Sequence, residues 1–224
     1  VFVKTPTLSP IKTRLACDIG EADALKFYQY SLLALEETLQ KAKSDIAKQM
    51  SYCPKLFWAV GEKEGTAHPL WSKWDQIYTQ GGDLGDRQCH VYQTLYKQFG
   101  KVILLGADAP QLSIDHIKDA LKAFEKTDFV VGPAKDGGYY LLGGRKPIYK
   151  KQWKNIIWST SQTRQMLLDQ LNAPVSTLSM LSDVDHQKDL ATMIEEMPLK
   201  PHFKQKTLID WIKTKNWHIS RSTA

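Results

Sequence analysis

The chain has 224 residues, 42% of them hydrophobic and 24% charged, and a formal net charge of +6, a composition that supports a buried core and excludes an intrinsically disordered chain. It has no run of about eighteen apolar residues, and Val1–Lys4 does not resemble a signal peptide, so we expect a cytoplasmic protein without a membrane span. Cys17, Cys53 and Cys89 form no C-x-x-C pair, which indicates reduced thiols and not a disulfide framework or a zinc site.

Short apolar runs alternate with amphipathic stretches through the first half of the chain. Val1–Val3 predicts a strand, and Glu21–Ile46 predicts a long helix because its apolar residues recur at spacings of three and four. The same patterns then predict, in order, a strand over 56–60, a helix over 87–98, a central strand over 102–105 and a helix over 113–125.

The alternation continues through the second half. Strands are predicted over 129–131, 139–142 and 175–178, and helices over 161–171 and 186–196. Strands that alternate with helices are typical of an α/β protein with a mostly parallel sheet flanked by helices. We find no repeat and no obvious linker, so we predict a single domain over residues 1–224.

Most of the positive charge lies in the last part of the chain. Residues 200–224 hold six Lys or Arg against Asp210 alone, and residues 1–199 hold 24 basic and 23 acidic residues. This basic C-terminal segment is predicted to be a docked final helix with a solvated face. No zinc-finger spacing or RNA-recognition aromatic signature accompanies it, so we expect no nucleic-acid partner.

Two acidic motifs stand out from ordinary surface charge. Asp108 follows the apolar run Val102–Leu105 and should emerge at the carboxyl end of a buried strand, the edge at which open parallel sheets bind ligands. Ser113 is the natural N-cap of the next helix, which leaves Asp108 available for another role. The second motif is Asp183-Val184-Asp185, in which one aspartate is expected to cap the helix that follows.

Two cations occupy the loop after the first strand. Lys12 and Arg14 fall near the start of a predicted helix, where positive charge opposes the helix dipole unless an anion such as a diphosphate joins them. Arg offers a planar fork for phosphate oxygens and Lys a compact point charge. The alternative is a pair of solvated surface cations.

These motifs resemble, in their order and combination, the DUF2064 family. The resemblance is carried by Lys4-x-Pro6, residues 12–16, Gly85-Asp86-Arg87, residues 106–110, residues 132–140, residues 158–160 and residues 183–185. It implies a GT-A fold of the nucleotide-diphospho-sugar transferase type with glycosyltransferase-like activity. The pattern is also similar, more distantly, to phospholactate guanylyltransferases and molybdenum cofactor nucleotidyltransferases.

The resemblance implies roles for individual residues. Lys4, Lys12 and Arg14 would bind the phosphates of a nucleotide. Arg87, which ends a glycine-rich stretch, would either reach a phosphate or pack structurally. Asp108 and Asp185 would bind one divalent cation, Mg²⁺ or Mn²⁺, because hard cations prefer oxygen ligands, and Asp183 is the substitute for Asp185.

The phosphate-binding loop departs from the family pattern in one respect. The family usually has a glycine three residues before its second lysine, where this chain has Ser9, and no glycine lies between Lys4 and Lys12. Glycine permits positive φ angles and close backbone approach. Its absence argues against a loop that wraps tightly around a triphosphate.

A glycine-rich motif and a tryptophan motif are the candidates for binding the second substrate. Asp136 is the predicted catalytic residue, which orients or deprotonates an acceptor hydroxyl beside Gly137 and Gly138. Asp-Gly between extended segments is equally a common hairpin signal. The tryptophan motif is predicted to form part of the acceptor wall, and it consists of Trp158, Ser159 and Thr160.

We therefore predict a metal-dependent transferase with a nucleotide-activated donor, most simply a glycosyltransferase. The alternatives are a nucleotidyltransferase that joins a nucleoside triphosphate to a phosphorylated acceptor and releases pyrophosphate, a non-catalytic nucleotide or sugar-phosphate sensor, and an interaction module that uses the basic C-terminal segment. The sequence does not identify the donor base, the sugar, the small-molecule acceptor or the oligomeric state.

Overall fold

The apolar runs marked by the sequence form strands at nearly the predicted positions. The computed structural model describes residues 1–49, 52–215 and 217. Its strands are β1 (Phe2–Val3), β2 (Phe57–Val60), β3 (Asp75–Tyr78), β4 (Val102–Leu105), β5 (Phe129–Pro133), β6 (Tyr139–Gly144) and β7 (Val175–Thr177). Its helices are α1 (Thr13–Ile19), α2 (Glu21–Gln49), α3 (Leu84–Phe99), α4 (Ile114–Ala123), α5 (Lys150–Lys154), α6 (Thr163–Gln170), α7 (Asp189–Glu195) and α8 (Phe203–Lys213).

The contacts divide the chain into two compact units. The sheet unit comprises Val1–Leu8, Leu56–Gly106 and Asp119–Met180, and it contains every strand named above. The helical unit comprises the described residues of Ser9–Lys55, Ala107–Lys118 and Leu181–Ala224. The single domain over residues 1–224 stays a prediction.

The strands of the sheet unit run mostly parallel, as predicted. β1, β2 and β3 pair in parallel, and a parallel bridge between Phe2 and Gly106 continues the order to β4. The order then runs β4, β6, β5, β7, in which only β6 is antiparallel to its neighbours. The carboxyl ends of β1, β2, β4 and β5 consequently lie at one edge of the sheet, and the loops that begin there carry several predicted site residues.

Burial explains why these short runs form strands. Phe129, Val131 and Leu142 lie in one apolar cluster with Tyr92 of α3 and Trp153 of α5. Each large apolar side chain removed from water contributes about 1.5–3 kcal/mol, which offsets the cost of ordering strands this short. β3 and α5 were absent from the prediction because their sequences are rich in charged and polar residues.

The helical unit is built around α2. The buried residues of α2 follow the predicted three- and four-residue spacing. Phe27 packs in one cluster with Leu15 of α1, Val184, and Leu208 and Trp211 of α8. α8 confirms a docked helix within the basic C-terminal segment, although residues 216 and 218–224, which include Arg221, lie outside the described residues.

Two further expectations can be compared with the structure. Cys17, Cys53 and Cys89 are free thiols, as predicted. Within the described part of the chain, no helix has both the length and the apolar composition needed to cross a membrane. The cytoplasmic location stays a prediction.

Candidate functional site

Lys12 is the centre of a charged cluster in the helical unit. It precedes α1 with a left-handed backbone, φ 45° and ψ 48°, which is uncommon for a residue with a side chain. Its Nζ lies 2.9 Å from Oδ1 of Asp108 and donates a hydrogen bond of 2.8 Å to the carbonyl oxygen of Val184. One ammonium group therefore joins the two acidic motifs that the sequence singled out.

A second ion pair completes the charged cluster, which we define as Lys12, Arg14, Asp108 and Asp185. Nη1 of Arg14 lies 2.6 Å from Oδ2 of Asp185. Leu15 and Val184, the chain neighbours of this pair, are both fully buried in the core of the helical unit. The core thus fixes the backbone on each side of the pair, while the charged groups remain accessible to solvent.

The loop that carries Asp185 is fixed by two carboxylates that the sequence did not single out. Oδ2 of Asp189 accepts hydrogen bonds from the backbone N–H groups of Asp185 (3.1 Å) and His186 (2.7 Å). Oδ2 of Asp18 accepts from the backbone N–H of Gln187 at 2.9 Å. That bond, with the neighbouring His186, lowers the pKa of Asp18 from its ordinary value.

Asp189 also corrects an expectation about helix capping. The helix was predicted to begin at His186, with Asp183 or Asp185 as a routine cap, but α7 begins at Asp189 and has no side-chain cap from its N-cap residue, Lys188. The carboxylate of Asp185 therefore pairs with Arg14, and the backbone N–H groups of this turn donate to the carboxylate of Asp189.

The segment that carries Asp108 is attached to the segment that carries Asp185. Nε2 of the buried Gln111 donates a hydrogen bond of 2.7 Å to the carbonyl oxygen of Ser182. Oγ of Ser113 accepts from the N–H of His116 at 3.3 Å, which confirms Ser113 as the cap of α4. Gln111 was missed because a glutamine in a loop carries no sequence signal until its partner is known.

The donor groups of the charged cluster suit a hard divalent cation. Asp108 and Asp185 supply carboxylate oxygens, and their side chains are 54% and 37% exposed. No set of three or more His, Cys, Asp or Glu side chains in residues 1–49, 52–215 and 217 is arranged to hold a metal ion. One or two carboxylates with waters and substrate phosphates are a set that Mg²⁺ takes, so the residue types fit such an ion. Metal binding by Asp108 and Asp185 stays a prediction.

Asp136 lies in the sheet unit, on the loop between β5 and β6. Its Oδ1 accepts a hydrogen bond of 2.8 Å from the N–H of Gly138, which makes the loop the tight hairpin connection that Asp-Gly indicates. Gly137 has a φ of 91°, and a side chain there would lie 2.1 Å from the carbonyl oxygen of Ser161. The carbonyl oxygen of Gly137 accepts from the N–H of Arg164 at 3.0 Å.

The tryptophan motif lies against a second glycine in the sheet unit. Trp158 stacks on Trp153 with ring centroids 5.9 Å apart, and a side chain on Gly85 would lie 2.1 Å from Trp158 Nε1. Ser159 has a positive φ of 60°, and Oγ1 of Thr160 contacts the carbonyl oxygen of Ile157 at 3.3 Å. We call residues 136–138 and residues 158–160 the loop group.

The other two predicted phosphate ligands are placed differently. Nε of Arg87 donates a hydrogen bond of 3.2 Å to the carbonyl oxygen of Gly82, and Nη1 of Arg87 lies 3.5 Å from the carbonyl oxygen of Gly61. This guanidinium therefore supports the neighbouring loops. Lys4 is exposed beyond the carboxyl end of β1. Phosphate binding by Lys4 and Arg87 stays a prediction.

Tyr139 connects the hairpin to α3. Its hydroxyl donates a hydrogen bond of 2.6 Å to Oε1 of Gln88, and burial raises the pKa of this phenol above its ordinary value. The hydroxyl therefore stays protonated and serves as a donor. No local pattern indicated this contact, because the two residues are 51 positions apart.

A family model and several solved structures match the chain. The model of DUF2064, described as "Uncharacterized protein conserved in bacteria", matches residues 35–160. No curated protein matches significantly. A crystal structure from Desulfovibrio desulfuricans G20, provisionally described as a nucleotide-diphospho-sugar transferase, aligns with a TM-score of 0.79 at 23% identity, over 95% of this chain and 93% of that chain.

Two other solved structures are more distant. The bifunctional IspDF from Campylobacter jejuni has a TM-score of 0.49 at 10% identity, over 76% of this chain and 46% of that chain. Rv0371c from Mycobacterium tuberculosis H37Rv has a TM-score of 0.43 at 16% identity, over 69% and 82% respectively. The Desulfovibrio match confirms the predicted nucleotide-diphospho-sugar transferase-like fold.

Proposed function

Because the chain belongs to DUF2064, whose model matches more than half of its length, we propose that it is a transferase that uses a nucleotide-activated donor. We take the donor to be a nucleotide-diphospho-sugar and the reaction to be glycosyl transfer. The observation that carries the proposal is the charged cluster, in which Lys12 contacts both Asp108 and the backbone of the Asp183–Asp185 motif.

The cations of the charged cluster are assigned to the diphosphate of the donor. Arg14, with its 70% exposed side chain, presents a planar fork that can hold two phosphate oxygens at once. Lys12 adds a point charge. Negative charge grows on the leaving diphosphate as the bond to the sugar breaks, so fixed cations favour the transition state more than the ground state.

The carboxylates of the cluster are assigned to the metal. Asp108 and Asp185 would hold Mg²⁺ or Mn²⁺, with Asp183 as the substitute for Asp185. When bound, such an ion supplies a further positive charge that stabilises the leaving phosphate oxygens. The two aspartates orient the ion, and the contacts of Asp189 and Gln111 keep their segments in place.

The loop group is assigned to the acceptor. Asp136 would accept a hydrogen bond or a proton from an acceptor hydroxyl, while Gly137 and Gly138 let the backbone approach closely. Asp136→Asn tests this role, because the amide oxygen can still accept from Gly138 while the basic carboxylate is lost. Unchanged turnover in a folded Asp136→Asn protein would remove Asp136 from the mechanism.

Nucleotidyl transfer is the second candidate, and one observation favours it. The absence of glycine between Lys4 and Lys12 argues against a loop that wraps a triphosphate, but Thr7 and Lys12 both have positive φ angles, 75° and 45°. The loop thus reaches left-handed backbone geometry without glycine. In this reaction an acceptor phosphate attacks the α-phosphorus of a nucleoside triphosphate, and pyrophosphate leaves.

Product analysis distinguishes the candidates. A thermal-shift panel of nucleotide sugars and nucleoside triphosphates with Mn²⁺ first identifies the donor, since a ligand at about 100 times its Kd stabilises the native state by about 2.7 kcal/mol. Incubation with acceptors follows. Released nucleoside diphosphate supports glycosyl transfer, released pyrophosphate supports nucleotidyl transfer, and binding without turnover across the acceptor panel supports a sensor.

The alternative of an interaction module has a separate test. If truncation after Pro198 abolished the binding of a protein partner while nucleotide binding persisted, the result would favour the interaction module over the transferase. Loss of nucleotide binding in the same truncation would instead reflect the packing of Leu208 and Trp211 of α8 in the core of the helical unit.

A further inference from the structure

The charged cluster is electrically balanced as it stands. Lys12 is paired with Asp108 and Arg14 with Asp185, so each carboxylate assigned to the metal already has a cation assigned to phosphate as its partner. Two positive and two negative charges therefore neutralise one another. A metal ion or a diphosphate that binds alone has to compete with one of these internal partners.

The cations of the two pairs differ in burial, although both carboxylates are partly exposed. The Lys12 side chain is only 7% exposed and also donates to the carbonyl oxygen of Val184, whereas the Arg14 side chain is 70% exposed. Exposed ion pairs contribute little to stability because water screens them and the side chains lose freedom. The Lys12–Asp108 pair is therefore the interaction that a metal ion has to overcome.

The binding of the metal alone and of the metal with a diphosphate should then differ. A metal ion at Asp108 would face the ammonium group of Lys12 at short range, and like charges repel most strongly where burial reduces screening. A diphosphate removes this conflict because it gives Lys12 a new anionic partner. Asp108 is then available to the metal without an uncompensated positive charge beside it.

We propose that Lys12 is a positioning residue that couples metal binding to diphosphate binding, by exchanging Asp108 for a phosphate oxygen. The proposal rests on the proposed function. Coupling between two ligands is reciprocal, so the diphosphate strengthens metal binding by the same factor as the metal strengthens diphosphate binding. No covalent step is involved, and the exchange is one of ion partners only.

Mn²⁺ binding to three proteins tests the coupling. The free Mn²⁺ signal in electron paramagnetic resonance is followed during titrations of wild type, Lys12→Met and Lys118→Met, each with and without inorganic pyrophosphate. Lys118 pairs with Asp45 at 3.0 Å in the same unit and is partly exposed, so Lys118→Met is a matched control for the loss of one positive charge. A titration in buffer corrects for the manganese–pyrophosphate complex.

We expect Lys12→Met to bind Mn²⁺ alone more tightly than wild type, by a factor in the range of about 5–150 that is typical of allosteric coupling. Pyrophosphate should strengthen Mn²⁺ binding more in wild type than in Lys12→Met. Lys118→Met should behave as wild type in both respects. Circular dichroism checks that each protein is folded, and Lys12→Gln, which can still donate to Val184, replaces Lys12→Met if the latter does not fold.

The outcomes separate this proposal from the proposed function. Equal Mn²⁺ affinity of wild type and both Lys12 variants, with equal strengthening by pyrophosphate, overturns the coupling and leaves the metal site standing. Absence of Mn²⁺ binding by every protein in both conditions overturns the metal-dependent function itself. An equal gain in affinity in Lys118→Met and Lys12→Met would show that net charge alone is responsible and would also overturn the coupling.

Discussion

The charged cluster of the helical unit and the loop group of the sheet unit hold their side chains by different means. The cluster is held by ion pairs and by buried neighbours such as Leu15 and Val184. The loop group is held by close backbone contacts, of which the contact between Gly137 and Ser161 is an example. The difference predicts that substitutions that remove a charge will perturb mainly the charged cluster. Substitutions that change the shape of a side chain should perturb mainly the loop group.

The largest effect is expected from Asp108→Asn. This substitution keeps the size of the side chain but removes one of the two carboxylates assigned to the metal. Because a catalytic metal contributes several kcal/mol to the transition state, we expect metal-stimulated turnover to fall by about 100-fold or more. Turnover at saturating donor and a series of Mn²⁺ concentrations gives the measurement.

The fold should survive this change, because Asp108 is 54% exposed and Lys12 keeps its bond to Val184. Far-ultraviolet circular dichroism and the melting temperature provide the control. Full activity in the purified variant would exclude Asp108 from the mechanism and would leave the two regions without the proposed division of roles.

Gly137→Ala should break the loop group and leave the charged cluster unaffected. The backbone φ of 91° costs a residue with a side chain about 1–3 kcal/mol, and the new Cβ would lie 2.1 Å from the carbonyl oxygen of Ser161. Gly100→Ala is the matched control, because Gly100 has a φ of 68° but a Cβ added there would meet no atom within 4 Å.

Chemical denaturation measures both variants. We expect Gly137→Ala to lose more stability than Gly100→Ala, since only the former adds a steric conflict to the backbone cost. Equal losses would show that the contact with Ser161 can relax and that the loop group does not depend on close approach.

The smallest effect, on the stability of the folded state, is expected from the titration of Asp18. The backbone N–H of Gln187, and then the side chain of His186, stabilise its carboxylate and hold its pKa below the ordinary value of 3.8. A lowered pKa in the folded state means that this contribution to stability is fully present above the ordinary, unfolded pKa and is lost as the pH falls through the folded pKa.

The amide resonance of Gln187 reports this titration directly in nuclear magnetic resonance spectra. Its midpoint should lie below 3.8, and Asp18→Asn should abolish the transition. A midpoint at or above that value would show that Asp18 does not hold the loop next to Asp185, and would weaken the contrast between a charge-held cluster and contact-held loops.

Much of the fold was predictable because periodicity is a local property of the chain. The strand over 102–105 was predicted to the residue, and α2 begins at the predicted Glu21. β3 was not predicted, because Asp75 and Gln76 are polar and exposed and the sequence of the strand therefore shows no apolar face. The pairing of β3 with β2, and not its composition, makes it a strand.

The residue types of the candidate site came from the sequence, and their partners came from the tertiary structure. Lys12, Arg14, Asp108 and Asp185 were identified as charges near element ends, since motif spacing and helix starts are encoded locally. That Lys12 contacts Asp108, and that Arg14 contacts Asp185, depends on packing between segments 96 and 171 positions apart. The approach of Arg14 to Asp185 is set by the common core around Leu15 and Val184, and no local pattern of residues specifies how such distant segments pack.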